Sequence, residues 1–179
     1  IVFVHEGGPP LRQSPLDAPR ALAANPIPEP DMGAAIDQKI VIQGGAMGGL
    51  AEATFKGKPW KTRTLFRKHN KVWTLNGVAF SDMDVPPMFT LKKGASYRWR
   101  MVNDTVWEHP MHLHGHHFQL LARNGKPVDP QPWLDTVLLA PDEVVDVVFV
   151  ADNPGPWLFH CHILEHHVAG MGSIVQVEG

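Results

Sequence analysis

From residue 38 onward the chain alternates short apolar runs with turn residues, and the period within the runs is two. That is the signature of β-strands with one buried and one wet face, and no helical period is sustained. The clearest runs cover residues 39–43, 71–75, 97–102, 117–122, 143–150, 157–162 and 173–177. In Tyr97-Arg98-Trp99-Arg100-Met101 the large apolar side chains alternate with arginines, so the faces are sharply divided. Residues 144–150 are apolar on both faces apart from Asp146, which predicts a central strand. Asn76-Gly77, Lys93-Gly94, Asn124-Gly125 and Asn153-Pro154-Gly155 supply turns. At least seven strands within about 140 residues predict an all-β Greek-key sandwich or barrel, with helix only as short pieces, one of them around residues 163–167. Before residue 38 the pattern differs: residues 1–4 read as the end of a strand, and residues 6–37 hold seven prolines without a period. Residues 1–37 are therefore expected to be the end of a preceding domain and a linker, with 38–179 a domain of its own. Ile1 without an initiator Met or a leader reads as a processed or cut chain.

Composition narrows the functional classes. Sixteen Lys and Arg against 18 Asp and Glu give a formal charge of −2, too weak a field to gather nucleic acid or anionic lipid. No apolar run approaches the ~18 residues of a membrane helix, and a single Cys excludes a disulfide within the chain. Histidine is in excess: of 11, nine fall within residues 109–117 and 160–167. Such clustering points to metal.

The first window reads His109-Pro110-Met111-His112-Leu113-His114-Gly115-His116-His117, and the second His160-Cys161-His162-Ile163-Leu164-Glu165-His166-His167-Val168-Ala169-Gly170-Met171. In an extended segment alternate side chains share a face, so His160 and His162 point one way and Cys161 the other. One strand thus serves two sites. His112 and His114 pair in the same manner, and imidazole pairs from two neighbouring strands can converge on one metal cluster. Cys161 needs partners on the opposite face. A tight turn returns His166, Met171 follows five residues later, and His109 is the best second imidazole because Pro110 interrupts the alternation between it and His112. Two His, one Cys and a thioether make a blue-copper electron-transfer set. Zinc accepts the same ligands but gains little from a thioether, so Met171 tips the balance to copper.

The His-Pro-x-His-x-His-Gly and His-Cys-His-x3-His-x4-Met patterns, with Asn153-Pro154-Gly155-x-Trp157 and Leu75-Asn76-Gly77 upstream, resemble the C-terminal cupredoxin domain of multicopper oxidases, the family of laccases, ferroxidases and cuprous oxidases. The resemblance spans residues 71–177 and implies a cupredoxin-like fold. By position it makes His109, Cys161, His166 and Met171 type 1 copper ligands, His112 a type 2 ligand, and His114, His160 and His162 type 3 ligands. It further implies that a phenol or low-valent metal ion gives single electrons to the type 1 copper. From there they pass through Cys161 and its neighbours His160 and His162 to a trinuclear copper cluster that reduces O2 to water. This chain supplies half of the imidazoles such a cluster uses. The other half belong to His-x-His pairs of N-terminal cupredoxin domains, so the chain alone is expected to be inactive towards O2, and a periplasmic or secreted location is implied. Some relatives place a carboxylate after the second type 1 His for proton delivery; here that residue is His167. The alternatives are a stand-alone blue-copper electron carrier, which needs no His pairs beyond Cys161, and a copper-binding module without turnover.

Other features have plainer readings. His5 and His69 stand alone and are not expected to bind metal; His116, His117 and His167 adjoin ligands and are expected to hydrogen-bond around them or face solvent. Cys161 lies in a strand without a helix N-terminus to activate it as a nucleophile. The run from Gly44 to Gly49 lacks the Gly-Lys-Ser/Thr of a phosphate loop and reads as a flexible connection. Met32, Met47, Met83 and Met88 form no dense run, so core packing or chance is a better reading of them than a path for cuprous ions. Trp107 and Met111 flank His109 and are candidates to line an approach to its exposed edge.

Overall fold

A computed structural model describes residues 7–8, 21–23, 26–83 and 85–179. The strand expected at residues 1–4 lies outside them, as does much of the proline-rich stretch. In chain order the elements are β1 (Ile36–Gly44), β2 (Glu52–Phe55), β3 (Lys58–Lys61), α1 (Thr62–His69), β4 (Trp73–Leu75), β5 (Phe89–Lys92), β6 (Ser96–Asp104) and β7 (His109–Leu113). There follow β8 (Phe118–Arg123), β9 (Lys126–Pro127), β10 (Trp133–Leu134), β11 (Thr136–Leu139), β12 (Val144–Val150), β13 (Gly155–Cys161), α2 (Leu164–Val168) and β14 (Gly172–Glu178). One sheet has the order β10-β8-β12-β6-β1-β4 with β9 on β8, the second the order β11-β7-β13-β14-β5, and β2 and β3 form a hairpin. Neighbours in these sheets are rarely consecutive in sequence, so the chain crosses repeatedly between two layers, as the all-β cupredoxin-like expectation requires.

The period of two becomes the core. Ile40, Ile42, Trp99, Met101, Phe118, Val145, Val147 and Phe149 from the first sheet meet Leu91, Met111, Leu113, Leu139, Phe159, Val175 and Val177 from the second, all buried. Each large apolar side chain so buried contributes roughly 1.5–3 kcal/mol before entropy is counted. Trp99 is fully buried, packs edge-on against Phe149 and Phe159, and satisfies its indole N–H by donating to Gln38 Oε1 at 2.7 Å. The alternating arginines of β6 lie on the outer face, where Arg98 pairs with Asp37 and Arg100 with Asp146. Asp146, the one polar residue of β12, is thereby accounted for, and β12 does sit between β6 and β8.

The structure adds one short helix to those located from the sequence and corrects the reading of one loop. The helix α1 was not signalled by the sequence: only Leu65 of its eight residues is buried, so no apolar stripe marks it. Gly44 to Gly49 is not merely a flexible connection. Gly44 ends β1, Gly45 donates to Val72 O at 3.0 Å, and a Cβ on Gly45 would strike the Trp73 ring, so the loop is held close. Of the four methionines ascribed to core packing or chance, Met88 packs on the core and Met32, Met47 and Met83 are exposed.

Candidate metal centre

Pairing of β7 with β13 places Met111 opposite Cys161 and His112 opposite His160. This register brings the two histidine windows together. On the inner face of β7 lie His109, Met111 and Leu113, all buried, while Pro110 and His112 face the other side. Plain alternation therefore separates His109 from His112, and no interruption at Pro110 is needed. Pro110 remains useful, since its carbonyl accepts the His162 N–H at 2.7 Å.

Inside, Cys161 Sγ lies 3.8 Å from His109 Nδ1 and 3.7 Å from His166 Nδ1, and the two nitrogens are 3.1 Å apart. Among the described residues this trio is the group whose donor atoms converge closely enough for one metal ion. His166 arrives by the short helix α2, and the chain then doubles back: Met171 N–H donates to His166 O at 2.9 Å and Cys161 N–H to Met171 O at 3.1 Å. Met171 is fully buried. The turn demands Gly170, whose φ of +117° is left-handed and whose place a Cβ would bring into the Trp73 carbonyl. Trp73 packs against both rings, edge-on to His109 with centroids 5.0 Å apart and tilted to His166 at 4.7 Å.

The hydrogen bonds fix which nitrogen of His109 is bare. Asn103 Nδ2 donates to the carbonyls of Trp107 and Ala140, which orients its Oδ1 to accept from the Thr105 hydroxyl at 2.7 Å. That hydroxyl has one proton, so towards His109 Nε2, 2.8 Å away, it accepts. His109 thus carries its proton on Nε2 and turns the Nδ1 lone pair to Cys161. Burial, with a smaller contribution from His166, holds the His109 pKa down to about 4, keeping the imidazole neutral. Burial also raises the Cys161 thiol to about 11, against a lowering contact from the Ile163 backbone. A cation at this trio must displace that proton, as thiolate-binding metals do.

On the opposite side of β7 and β13 the four other histidines expected to bind metal gather. His114 Nε2 lies 3.0 Å from His160 Nε2, the His112 ring is 4.8 Å from His114 and 5.6 Å from His162, and His160 and His162 stack at 5.6 Å. His112 Nδ1–H donates to Asp135 O at 2.9 Å and His160 Nδ1–H to Cys161 O at 2.8 Å, so both have bare Nε2 atoms. Burial first, then the neighbouring imidazoles against the Cys161 backbone, holds His160 at about 4. His160 is buried, but His114 and His162 are exposed, so this group is open on one side.

The structure thus brings His109, Cys161 and His166 into one group and His112, His114, His160 and His162 into another, with Met171 beside the first in the backbone. His116 is buried and its Nδ1 lies 3.3 Å from His114 O, His117 is exposed, and the half-buried His167 ring packs 4.7 Å from His160. His69 packs on Phe55 and Trp60, away from both groups, and His5 lies outside the described residues. The expected approach to His109 is corrected. His109 and Met111 are wholly buried, and the accessible ring belongs to His166. Trp107 is 47 % exposed and does line the cleft that reaches it. Sequence reading missed Asn103 and Thr105, whose signal was only a polar pair ahead of His109, and Trp73, whose role depends on a distant strand.

A sequence profile of the family described as multicopper oxidase matches residues 54–179. The multicopper oxidase MmcO of Mycobacterium tuberculosis is 40% identical over 101 residues, which cover 56% of this chain and 19% of that protein. The iron transport multicopper oxidase fetC of Epichloe festucae is 33% identical over 169 residues, covering 81% of this chain and 26% of its own length. Among solved structures, a multi-copper oxidase from Pseudomonas thermotolerans superposes with a TM-score of 0.69 at 30% identity, covering 90% of this chain and 34% of that one. The chain therefore spans 19% and 26% of these two curated relatives and about a third of the solved one.

Proposed function

Since this chain belongs to the multicopper oxidases, we propose that it is the C-terminal cupredoxin domain of such an enzyme, with residues 1–37 the end of a preceding domain and the linker from it. His109, Cys161 and His166, with Met171, would hold a type 1 copper; His112, as type 2 ligand, and His114, His160 and His162, as type 3 ligands, would supply half of a trinuclear cluster. Copper at the first group supplies a one-electron couple that thiolate and imidazole accommodate in both oxidation states. The convergence of one Sγ and two bare or neutral imidazole nitrogens within 3.1–3.8 Å carries this reading.

The roles of the residues follow from their placement. His166 presents the accessible ring edge, so a phenol or metal-ion reductant meets the site there. Cys161 is bonded through the backbone to His160 and His162, which sit in the second group, so a covalent path of a few bonds connects electron entry with the place of O2 reduction to water. The exposed rings of His114 and His162 are the side on which another cupredoxin domain of the same enzyme would complete the cluster. By itself the chain would then not reduce O2. A simple electron carrier has no use for four imidazoles beyond its cysteine, which favours the oxidase. No helix among the described residues is long and apolar enough to cross a membrane, and on family grounds we place the enzyme in the periplasm or among secreted proteins.

Copper loading tests the assignment. One tightly bound copper per chain with intense visible absorption and the electron paramagnetic resonance of a copper thiolate is expected, and Cys161→Ser should abolish the colour while the far-ultraviolet spectrum stays that of a β protein. Colour that survives the substitution would overturn the ligand set.

A further inference from the structure

The accessible edge of His166 opens into a cleft of about 540 Å³. That is the size of a small-molecule site. Its walls include Trp107, Phe66 and Trp73, with Arg63 and Glu165 as the charged side chains that line it. Phe66 and Trp107 are about half exposed, unusual for rings of that size in an otherwise well-packed domain. Arg63, Phe66 and Arg67 stand at i, i+3 and i+4 of α1 and so share one helical face.

Charge is distributed unevenly around this cleft. Between Glu52 and Asp82 there is no acidic residue, yet Lys56, Lys58, Lys61, Arg63, Arg67, Lys68 and Lys71 make seven of the chain's 16 basic residues. All but Lys71 are exposed, and among the described residues only Lys56 of the seven has an ion-pair partner, Asp82 at 3.9 Å. A chain of net charge −2 thus concentrates positive charge on the β2–β3 hairpin and on the helix that forms one wall of the cleft, ion-paired among the described residues at Lys56 alone. Such a patch raises the local concentration of anions and repels cations. A dication would also need several oxygen ligands, and Glu165 is the single carboxylate in the lining.

The geometry points to an anionic aromatic molecule, a phenol bearing a carboxylate or sulfonate, as the reductant that occupies this cleft, a proposal that rests on the electron-entry role given to His166. The ring lies among Phe66, Trp73 and Trp107, and the acid group pairs with Arg63, whose planar guanidinium matches a carboxylate in two bonds.

The test is calorimetric binding to the full chain, with and without copper, of three redox-inert probes of one shape: naphthalene-2-sulfonate, 2-naphthamide and 2-naphthylmethylammonium. At about 20 mM salt the sulfonate should bind at least ~10-fold more tightly than the amide and the ammonium more weakly than either, as a charge-assisted pair predicts. At about 0.5 M salt the preference should shrink below ~2-fold, because screening then acts within a few ångströms. Arg63→Gln should remove most of the preference, Lys126→Gln on the distant β9 should not, and Trp107→Ala should weaken all three probes alike. Equal affinities for the three probes, or a preference that outlasts both Arg63→Gln and high salt, would overturn the proposal. Because the probes are not oxidised, a failure of copper loading would refute the electron-entry role and leave this result readable.

Discussion

A single proton on the Thr105 hydroxyl decides how the buried His109 is used. With that proton spent on Asn103, the oxygen can only accept from Nε2–H, and the Nδ1 lone pair is left for Cys161. Thr105→Val keeps the shape and removes the acceptor. It is expected to cost about 1–3 kcal/mol in urea unfolding, since a buried N–H loses its partner, and to weaken copper binding by about 10–100-fold in chelator competition, the usual effect of losing such a support. Thr105→Ser should restore both. Equal behaviour of the two variants would show that the ring is oriented by Trp73 packing alone. Neither Thr105 nor Asn103 stood out in the sequence, because a polar residue acquires this role only when the strand that follows delivers an imidazole to it.

At the scale of elements, the short path β13–α2–β14 does the most. It places Cys161, His166 and Met171 within 11 residues, and the two backbone bonds of Met171 close it. Gly170 is its weak point: Gly170→Ala combines a left-handed backbone with a collision against the Trp73 carbonyl. We expect a loss well above the ~1–2 kcal/mol that a left-handed backbone alone costs an alanine, whereas Gly125→Ala, also left-handed at φ +73° but with open space around its Cβ, should stay near that value. Denaturant midpoints of the two variants make the comparison. The seven strand runs and this short helix were legible because alternation and turn residues are local signals. The helix α1 was not, since it rests on the β2–β3 hairpin through one buried leucine and shows solvent an almost wholly basic surface.

For the whole molecule, the buried site sets the pH response of the metal-free protein. His109 and His160 are held at about 4, below their ordinary 6.5, so between those values the unfolded chain binds protons that the folded chain refuses. Stability is therefore full above pH 6.5 and falls as the pH drops towards 4. Cys161, raised from 9.0 to about 11, acts at the other end: above pH 9 the unfolded chain releases a proton that the folded chain keeps, and stability falls again. Urea midpoints without metal should peak between about pH 7 and 8.5, and bound copper, which displaces the Cys161 proton, should remove the alkaline limb and steepen the acid one. What the sequence determined by itself is the alternation that sends Cys161 one way and His160 and His162 the other, the strands that bear them, and the motif spacing, all properties of a few consecutive bonds. Only the tertiary structure decided that His109, 52 residues from Cys161, meets it across the β7–β13 pairing, that His166 and not His109 is the ring left accessible, and that a basic helix borders it. Those facts depend on which strands pair and on what covers each side chain, and neither is written in the period of a single strand.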